Sequence, residues 1–408
     1  MRTLYNGYIG MFQGLSREIW ILSFVTFINR AGAMVIPFLS LYLVSEKDLS
    51  LPEVGWIMSC YGLGSLFGNY TGGILTDRIG FYKTIVFSLF FGGIAFMLFQ
   101  YLNTFVSLCI GMFILMFLVD IYRPGIYVAA DIYGDEGKLT TRNIGLIRLA
   151  INLGYSIGPV IGGFLIAKVS YNSIFWFDGL TCVLASLLLF FLLKPKKTIK
   201  EDAKPLVVKE GPPPTKNKLY LVLMLIMIIN SIAFIQYFST VPLYYKNYHG
   251  LNESTIGWIL FINGALIVLF EMPLIAWLEH LKITKTMATF LGIAFLAISF
   301  IVLNVSDGFY ILIIGIVFMT LGEMIGSPFS NSLALSMAPK GRKGSYMAIY
   351  SMTFSISQII GHNAGMNAIH EFGYDKTWVF LFIILAIAGI ITLYLYSAFK
   401  TSNVLKNY

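Results

Sequence analysis

Seven charged side chains lie inside long apolar stretches of this sequence, where an ionised group is expensive to bury. Each costs about 2.5–3.5 kcal/mol at the centre of a membrane helix, so seven of them are not accidental. A buried carboxyl can bind and release a proton, and a buried guanidinium can bind an anion or a carboxylate. Three of the seven are basic and four are acidic: Arg30, Arg123, Arg148, Asp120, Asp178, Glu271 and Glu323.

Long apolar helices must position these residues. Of the 408 residues, 57% are hydrophobic and only 12% are charged, which is about half the charge of a soluble domain. The sequence therefore predicts an all-α polytopic membrane protein, with helices long enough to cross about 30 Å of hydrocarbon. We predict twelve transmembrane helices, near 19–44, 54–75, 84–102, 105–130, 144–168, 172–193, 219–245, 254–278, 286–304, 309–336, 345–370 and 378–399.

Positive charge is concentrated on one side of these predicted helices. The segments on the side of the N-terminus hold 21 Lys and Arg residues, and the opposite loops hold four. This distribution follows the positive-inside rule, so we expect both termini to be cytoplasmic and the protein to lie in the cell (cytoplasmic or inner) membrane. The net charge of +8 is spread over separate loops, and nucleic acid is not an expected partner.

One long polar stretch, 194–218, divides the chain, with five Pro and eight Lys. Such a segment cannot bury a core, so we predict a cytoplasmic linker between an N-terminal half, 1–193, and a C-terminal half, 219–408. A shift of 202 residues places Gly55-Trp56-Ile57 on Gly257-Trp258-Ile259. Two pseudo-symmetric six-helix bundles are typical of transporters that work by alternating access.

Three segments carry a resemblance to a known family. Residues 72–80, GGILTDRIG, resemble the G-x-L-x-D-R-x-G signature of the major facilitator superfamily. Residues 154–163, GYSIGPVIGG, resemble the antiporter motif of its drug-efflux branch, and residues 320–328 and 344–346 are similar to twelve-helix proton-coupled multidrug exporters. The resemblance implies the major facilitator fold and an ion gradient as the energy source.

Proton coupling needs a carboxyl whose proton affinity changes as its surroundings open to either side of the membrane. Glu323, deep in the tenth predicted helix, is the first candidate, and Glu271 is the second. Asp120 is the third, because Arg123 lies one turn away and can simply pair with it.

Polar and aromatic residues inside the predicted helices are candidates for binding a substrate. Arg30, with Asn29 beside it, could hold a substrate anion or modulate the carboxylates; a static salt bridge is the alternative. Each of the others is of a type that more often forms a hydrogen bond between helices than a contact with a ligand. These further candidates are Tyr61, Asn230, Gln236 and Asn263.

A first predicted gate lies in the short loop after the second predicted helix. The resemblance implies that Asp77 and Arg78 form a cytoplasmic gate, flanked by Gly73 and Gly80. Arg78 could reach Asp131 at the cytoplasmic end of the fourth predicted helix. A solvated charge pair that contributes little is the alternative.

A second predicted gate lies in the fifth predicted helix. Gly154, Gly158 and Gly162 are spaced by four, which places bare backbone on one face and lets a neighbouring helix approach closely. Pro159 should bend this helix, because it removes an internal hydrogen bond. The resemblance implies that the helix seals the periplasmic side of the pathway; ordinary tight packing is the alternative.

No catalytic constellation is visible in the sequence. A GxSxG elbow, an HExxH pair and a Walker A loop are all missing, and the three Cys lie singly. We therefore predict that the protein is not an enzyme and has no cofactor or metal, and that a proton gradient drives it, with Na⁺ left open. The expected partners are a small-molecule substrate and the lipid bilayer, with the monomer as the functional unit.

The leading interpretation is a secondary active transporter that exports amphipathic small molecules or drugs in exchange for protons. A proton-coupled importer of peptides or other polar nutrients is the closest alternative. A lipid translocase and a non-transporting sensor are less favoured.

Overall fold

The computed structural model describes residues 15–133, 140–195, 212–339 and 342–401. Every regular element among them is helical, as predicted. In chain order the α-helices are α1 Arg17–Ala31, α2 Val35–Ser45, α3 Leu51–Ile79, α4 Phe81–Phe99, α5 Phe105–Asp120, α6 Tyr122–Ile132, α7 Thr140–Lys168, α8 Tyr171–Leu192, α9 Lys218–Gln236, α10 Thr240–Asn247, α11 Glu253–His280, α12 Lys285–Val302, α13 Phe309–Ser336 and α14 Lys343–Thr401.

The helices group into two compact units. The first comprises Met1–Ile36 and Leu63–Asp202, and the second comprises Pro37–Gly62 and Ala203–Tyr408. Segment 37–62, which holds most of α2 and the start of α3, thus packs with helices of the C-terminal part of the chain. Residues 196–211 of the predicted linker lie outside the described residues, so the linker stays a prediction.

Within the part of the chain that the structure describes, ten helical segments are long and apolar enough to cross a membrane. The last, Ser345–Lys400, has 56 residues, about twice the length of one crossing, and is interrupted at Gly373 by a left-handed backbone (φ 77°). Ten segments, one of which holds two crossings, account for eleven of the predicted helices. The remaining one corresponds to α3, which has 29 residues but is less apolar than the ten, and stays a prediction.

The first crossing is a broken helix. α1 ends at Ala31 and α2 begins at Val35, two residues before Pro37. Proline has no N–H, and its ring clashes with the carbonyl four residues earlier, so Pro37 favours a break in the turn before it. Gly32 at the break is required by close packing, because a Cβ there would lie 2.6 Å from the Cβ of Thr181 on α8.

The seventh crossing is broken in the same way. α9 ends at Gln236 and α10 begins at Thr240, again two residues before a proline, Pro242. In both crossings the residue that ends the first helix segment is followed by three non-helical residues. Both breaks leave backbone groups without helical partners.

Candidate functional site

Glu323 lies midway along α13, as the fifteenth of its 28 residues. The Nδ2 of Asn263 on α11 donates to its Oε2 over 2.9 Å, and the same amide donates to the hydroxyl of Thr320 over 3.2 Å. Among the residues that the structure describes, no basic side chain forms an ion pair with Glu323. The carboxylate is therefore held by neutral groups.

Glu271, the second predicted coupling residue, lies on the same helix as Asn263 and interacts electrostatically with Glu323. The half-buried side chain of Glu271 comes directly before Met272 and Pro273. The structure thus brings Glu323, Glu271 and Asn263 together within the second unit. The charge of one carboxyl therefore acts on the other.

Asp120, the third candidate, is held differently. It ends α5 and is fully buried, and its Oδ1 lies 2.6 Å from the Nε of Arg123. The hydroxyl of Ser65 donates to its other oxygen. Both oxygens are therefore occupied by the protein, and the alternative that Asp120 simply pairs with Arg123 fits this geometry.

Arg30 is the last residue but one of α1, and only 6% of its surface is exposed. Its Nη1 donates to the hydroxyl of Tyr155 over 2.6 Å. Its Cζ lies 5.0 Å from the ring centroid of Tyr122 and 5.1 Å from that of Tyr155, so two aromatic faces stabilise the cation. Its Nε has no hydrogen-bond partner.

Asp178 on α8 is the acid whose charge acts on Arg30, but its oxygens face the helix break. The backbone N–H groups of Val35, at 3.4 Å, and of Met34 donate to it. A carboxylate at the start of a helix satisfies free N–H groups and interacts favourably with the helix dipole. Asp178 therefore caps α2.

Most of the other predicted substrate residues contact neighbouring protein groups. Gln236 donates its amide N–H groups to the carbonyls of Ile232 and Gly361, each over 2.9 Å. Asn29 donates to the sulfur of Cys182 over 3.2 Å, and Tyr61 packs edge-on against His362. Asn230 is half-buried on α9. Of this set, only Asn263 joins a candidate coupling residue.

The predicted cytoplasmic gate lies at the junction of α3 and α4. Asp77 and Arg78 are exposed, Gly80 adopts a left-handed backbone (φ 89°), and Gly73 faces open space. The side chain of Asp131 lies outside the described residues, so its pairing with Arg78 stays a prediction.

The glycine face of α7 packs on the break between α1 and α2. A Cβ at Gly154 would lie 2.8 Å from the backbone N of Ala31, and one at Gly158 would lie 3.4 Å from the carbonyls of Ala31 and Ala33. Gly162 is buried further along, and the helix continues through Pro159. The motif therefore lets α7 reach the backbone that holds Arg30.

Tyr122 and Tyr155 are the site residues that sequence reasoning missed. Tyr155 lies inside the glycine motif of α7, and Tyr122 begins α6. No local spacing could have joined them to Arg30, because the three residues lie on three helices. The only sequence signal was position: Tyr122 is adjacent to Arg123, and Tyr155 is adjacent to Gly154.

Comparison with known proteins gives a family and a fold. The model of the Major Facilitator Superfamily matches residues 19–362 and 223–405. The chain is 24% identical over 388 residues to an uncharacterized MFS-type transporter, YttB, of Bacillus subtilis (strain 168), covering 93% of this chain and 95% of that protein.

Two other relatives have assigned activities. One is the Na(+), Li(+), K(+)/H(+) antiporter of Planococcus maritimus, 22% identical over 93% of this chain and 95% of that protein. The other is the quinolone resistance protein NorA of Staphylococcus aureus, 30% identical over 45% of this chain and 47% of that protein.

A solved structure with the same fold is the crystal structure of peptide transporter POT in complex with sulfate. It aligns with a TM-score of 0.78 at 17% identity, covering 97% of this chain and 96% of that one. At this identity the likeness concerns the fold alone.

Proposed function

Since the chain belongs to the major facilitator superfamily and is a multi-pass membrane transporter, we propose that it exports amphipathic small molecules in exchange for protons. We place it in the cytoplasmic membrane with both termini in the cytoplasm, as the charge distribution of its loops favours. Asp77, Arg78 and the glycine face of α7 are the proposed gates of the pathway.

The observation that carries this proposal is the setting of Glu323. Its carboxylate, midway along an apolar helix, is bonded to an amide and influenced by a second carboxyl. Among the described residues, no basic side chain forms an ion pair with it to keep it ionised. Its protonation state therefore depends on whether water, protons or a substrate can reach it. That dependence is what exchange of a proton for a substrate requires.

Asn263 makes both protonation states tolerable. Its amide donates to Glu323 when the carboxyl is ionised, and the hydroxyl of Thr320 gives the same amide a second acceptor. The carboxyl can therefore lose and regain its proton without leaving the amide unpaired.

Proteoliposomes test the proposal. Purified protein is reconstituted with a preset proton gradient, norfloxacin is added as the probe, and the decay of the gradient is followed with a pH-sensitive dye. We expect the wild type to dissipate the gradient and Glu323→Gln to behave like protein-free vesicles. Glu371→Gln, which removes an exposed acid from α14, is the matched control and should behave as wild type.

Three outcomes contradict parts of the proposal. Substrate accumulation against a gradient by Glu323→Gln would remove this residue from coupling. Gradient decay that depends on Na⁺ and fails in choline buffer would replace the proton as the coupling ion. Uptake of a labelled peptide, without norfloxacin-driven proton flux, would replace export by import.

A further inference from the structure

The amide of Asn263 meets two acceptors on α13. Its Nδ2 donates to Oε2 of Glu323 over 2.9 Å and to the hydroxyl of Thr320 over 3.2 Å. That hydroxyl in turn donates to the backbone carbonyl of Ile316 over 2.6 Å. Ile316, Thr320 and Glu323 are spaced by four and three residues, so they lie along one face of the helix. A chain of hydrogen bonds therefore connects the Ile316 carbonyl with the carboxylate.

Thr320 determines which way this amide faces. A hydroxyl has one proton, and that of Thr320 is bonded to Ile316, so its oxygen accepts from Asn263. Thr320 is fully buried, and water offers its hydroxyl no other partner. If the amide rotated, its oxygen would face the hydroxyl oxygen unless Thr320 gave up the bond to Ile316. The amide therefore presents its N–H groups to both neighbours.

The two oxygens of Glu323 are unequal as a result. Oε2 accepts the N–H of Asn263, and a proton on that oxygen would set two donors against each other. Among the described residues, no group donates to Oε1, and the side chain as a whole is half-buried. A proton therefore binds at Oε1, while Oε2 keeps its hydrogen bond to the amide.

The titratable surroundings of this carboxyl are sparse in the part of the chain that the structure describes. Glu271 on α11 acts on it through its charge. α12 packs against α13 at Gly322 and has no titratable side chain beyond its first residue, Lys285. Two tyrosine hydroxyls reach α13 about two turns away on either side: Tyr237 at Gly315 and Tyr350 at Ser330.

We infer that Thr320 is a positioning residue for the exchanged proton: by accepting from Asn263, it fixes the amide as a donor to Glu323 and so favours the ionised carboxyl. A hydrogen bond donated to the charged form of an acid opposes its protonation. Without the hydroxyl, the amide can rotate and accept from the protonated carboxyl instead. The role of Thr320 in transport rests on the proposed exchange of protons at Glu323.

Dicyclohexylcarbodiimide tests this positioning without transport, because it modifies carboxyls in their protonated form. The purified full chain in detergent is labelled over a range of pH, and modification of Glu323 is followed by peptide mass spectrometry. We expect Thr320→Val, which removes only the hydroxyl, to raise the pH of half-maximal labelling by about 0.7 unit, the equivalent of one hydrogen bond. Thr320→Ser keeps the hydroxyl and should label as wild type.

Two further variants separate positioning from loss of structure. Thr392→Val removes a hydroxyl of the same kind from α14, fully buried and bonded to the carbonyl of Ala388 over 2.7 Å, and should leave the profile unchanged. Asn263→Ala removes the donor itself and should also raise the pH of half-maximal labelling. Because Thr320 acts through the amide, adding Thr320→Val to Asn263→Ala should shift the profile no further.

The outcomes separate this inference from the proposed function. A wild-type profile for Thr320→Val, or equal shifts for the serine and valine variants, would overturn the positioning role. Additive shifts in the Asn263→Ala background, or wild-type labelling of Glu323 that does not vary with pH, would also overturn it. The expected shifts without norfloxacin-driven proton flux would keep the inference and refute the proposed exchange, whereas Glu323-dependent flux with unshifted profiles would do the reverse.

Discussion

The first and seventh crossings each break five residues before a proline, at Gly32 and at Tyr237, and different chemistry completes the two breaks. At the first break a carboxylate, Asp178, accepts the free N–H groups of α2, and a cation, Arg30, lies at the end of α1. At the second break one neutral amide, Gln236, donates to two carbonyls and accepts from the hydroxyl of Thr240 over 3.1 Å.

This difference shows that a broken crossing does not need charge. The amide of Gln236 satisfies the same kind of backbone without the desolvation cost of an ion. The guanidinium of Arg30 is therefore not needed to satisfy the backbone of the break. Its Nε has no hydrogen-bond partner, whereas the bonds of Gln236 are all made to protein.

The glycines that cover the two breaks give the largest expected effect. A Cβ at Gly154 would meet the Cβ of Arg30 at 2.5 Å and backbone at 2.8 Å, whereas the three atoms nearest to a Cβ at Gly365 all belong to the side chain of Gln236, the first at 1.9 Å. Overpacking costs about 1–3 kcal/mol, and we expect Gly154→Ala at the upper end because backbone must move. Gly365→Ala should cost less, since a side chain can rotate.

Thermal unfolding of the purified variants in detergent measures this order. Gly73→Ala is the control, because the added methyl meets nothing within 4 Å and alanine favours a helix over glycine. It should unfold at or above the wild-type temperature. Equal losses for Gly154→Ala and Gly365→Ala would show that the two breaks tolerate change alike.

The charges at the first break give the next effect. We expect a double-mutant cycle between Arg30→Gln and Asp178→Asn to show a coupling below about 1 kcal/mol, since the two side chains form no ion pair. The same cycle between Asp120→Asn and Arg123→Gln should give a larger coupling, because their atoms lie 2.6 Å apart. Stability to chemical denaturation in detergent provides the four values of each cycle.

An Arg30 and Asp178 coupling as large as that of Asp120 and Arg123 would make the first break a structural ion pair. In that case charge would hold the first break together, in contrast to the neutral amide of Gln236 at the second.

The smallest effect concerns the starts of α3 and α11, which lie 202 residues apart in sequence. At α3 the backbone N–H and the hydroxyl of Ser50 donate to the Glu53 carboxylate over 2.9 and 2.6 Å. These hydrogen bonds lower the pKa of Glu53, which lies just outside the predicted membrane span 54–75. At α11 the amide oxygen of Asn252 accepts from Thr255 over 2.8 Å and does not titrate.

Because the folded-state pKa of Glu53 is depressed, its contribution to stability is present above the ordinary glutamate pKa and is lost as the pH falls through the lowered value. We therefore expect Glu53→Gln to reduce the acid-side fall in melting temperature slightly. Asn252→Ser should leave that fall unchanged. An unaltered acid limb in Glu53→Gln would mean that the bond with Ser50 contributes nothing in the folded protein.

The helical membrane fold and one close helix contact could be predicted from the sequence. Apolar runs and loop charges predicted the helical membrane protein, and the glycines of the 154–163 segment predicted close packing, since spacing by four always lies on one helix face. Pro37 and Pro242 lie inside the predicted helices 19–44 and 219–245, but Pro159, Pro273 and Pro328 lie inside helices that continue, so a proline alone does not predict a break. We predicted those helices as uninterrupted because apolar periodicity alone does not register a lost N–H.

The state of each polar side chain was not predictable. Arg30 and Gln236 are both buried and both lie at a break, yet the Nε of Arg30 has no hydrogen-bond partner and the amide of Gln236 has a full set. Their partners come from helices far away in sequence, such as Tyr155 and Gly361, and depend on how the helices pack. A single sequence holds no local record of such contacts.

The contact between Asn29 and Cys182 places a native thiol next to the first break, where it can report opening of the structure. Cys182 is buried at the α1 and α8 interface, and its sulfur accepts a hydrogen bond from the residue next to Arg30. A buried thiol reacts with maleimides only while the structure around it is open, so its labelling rate counts the openings of this interface. Replacing Cys60 and Cys109 by alanine would leave Cys182 as the single thiol. Its labelling rate would then measure how often the helices around the buried Arg30 separate.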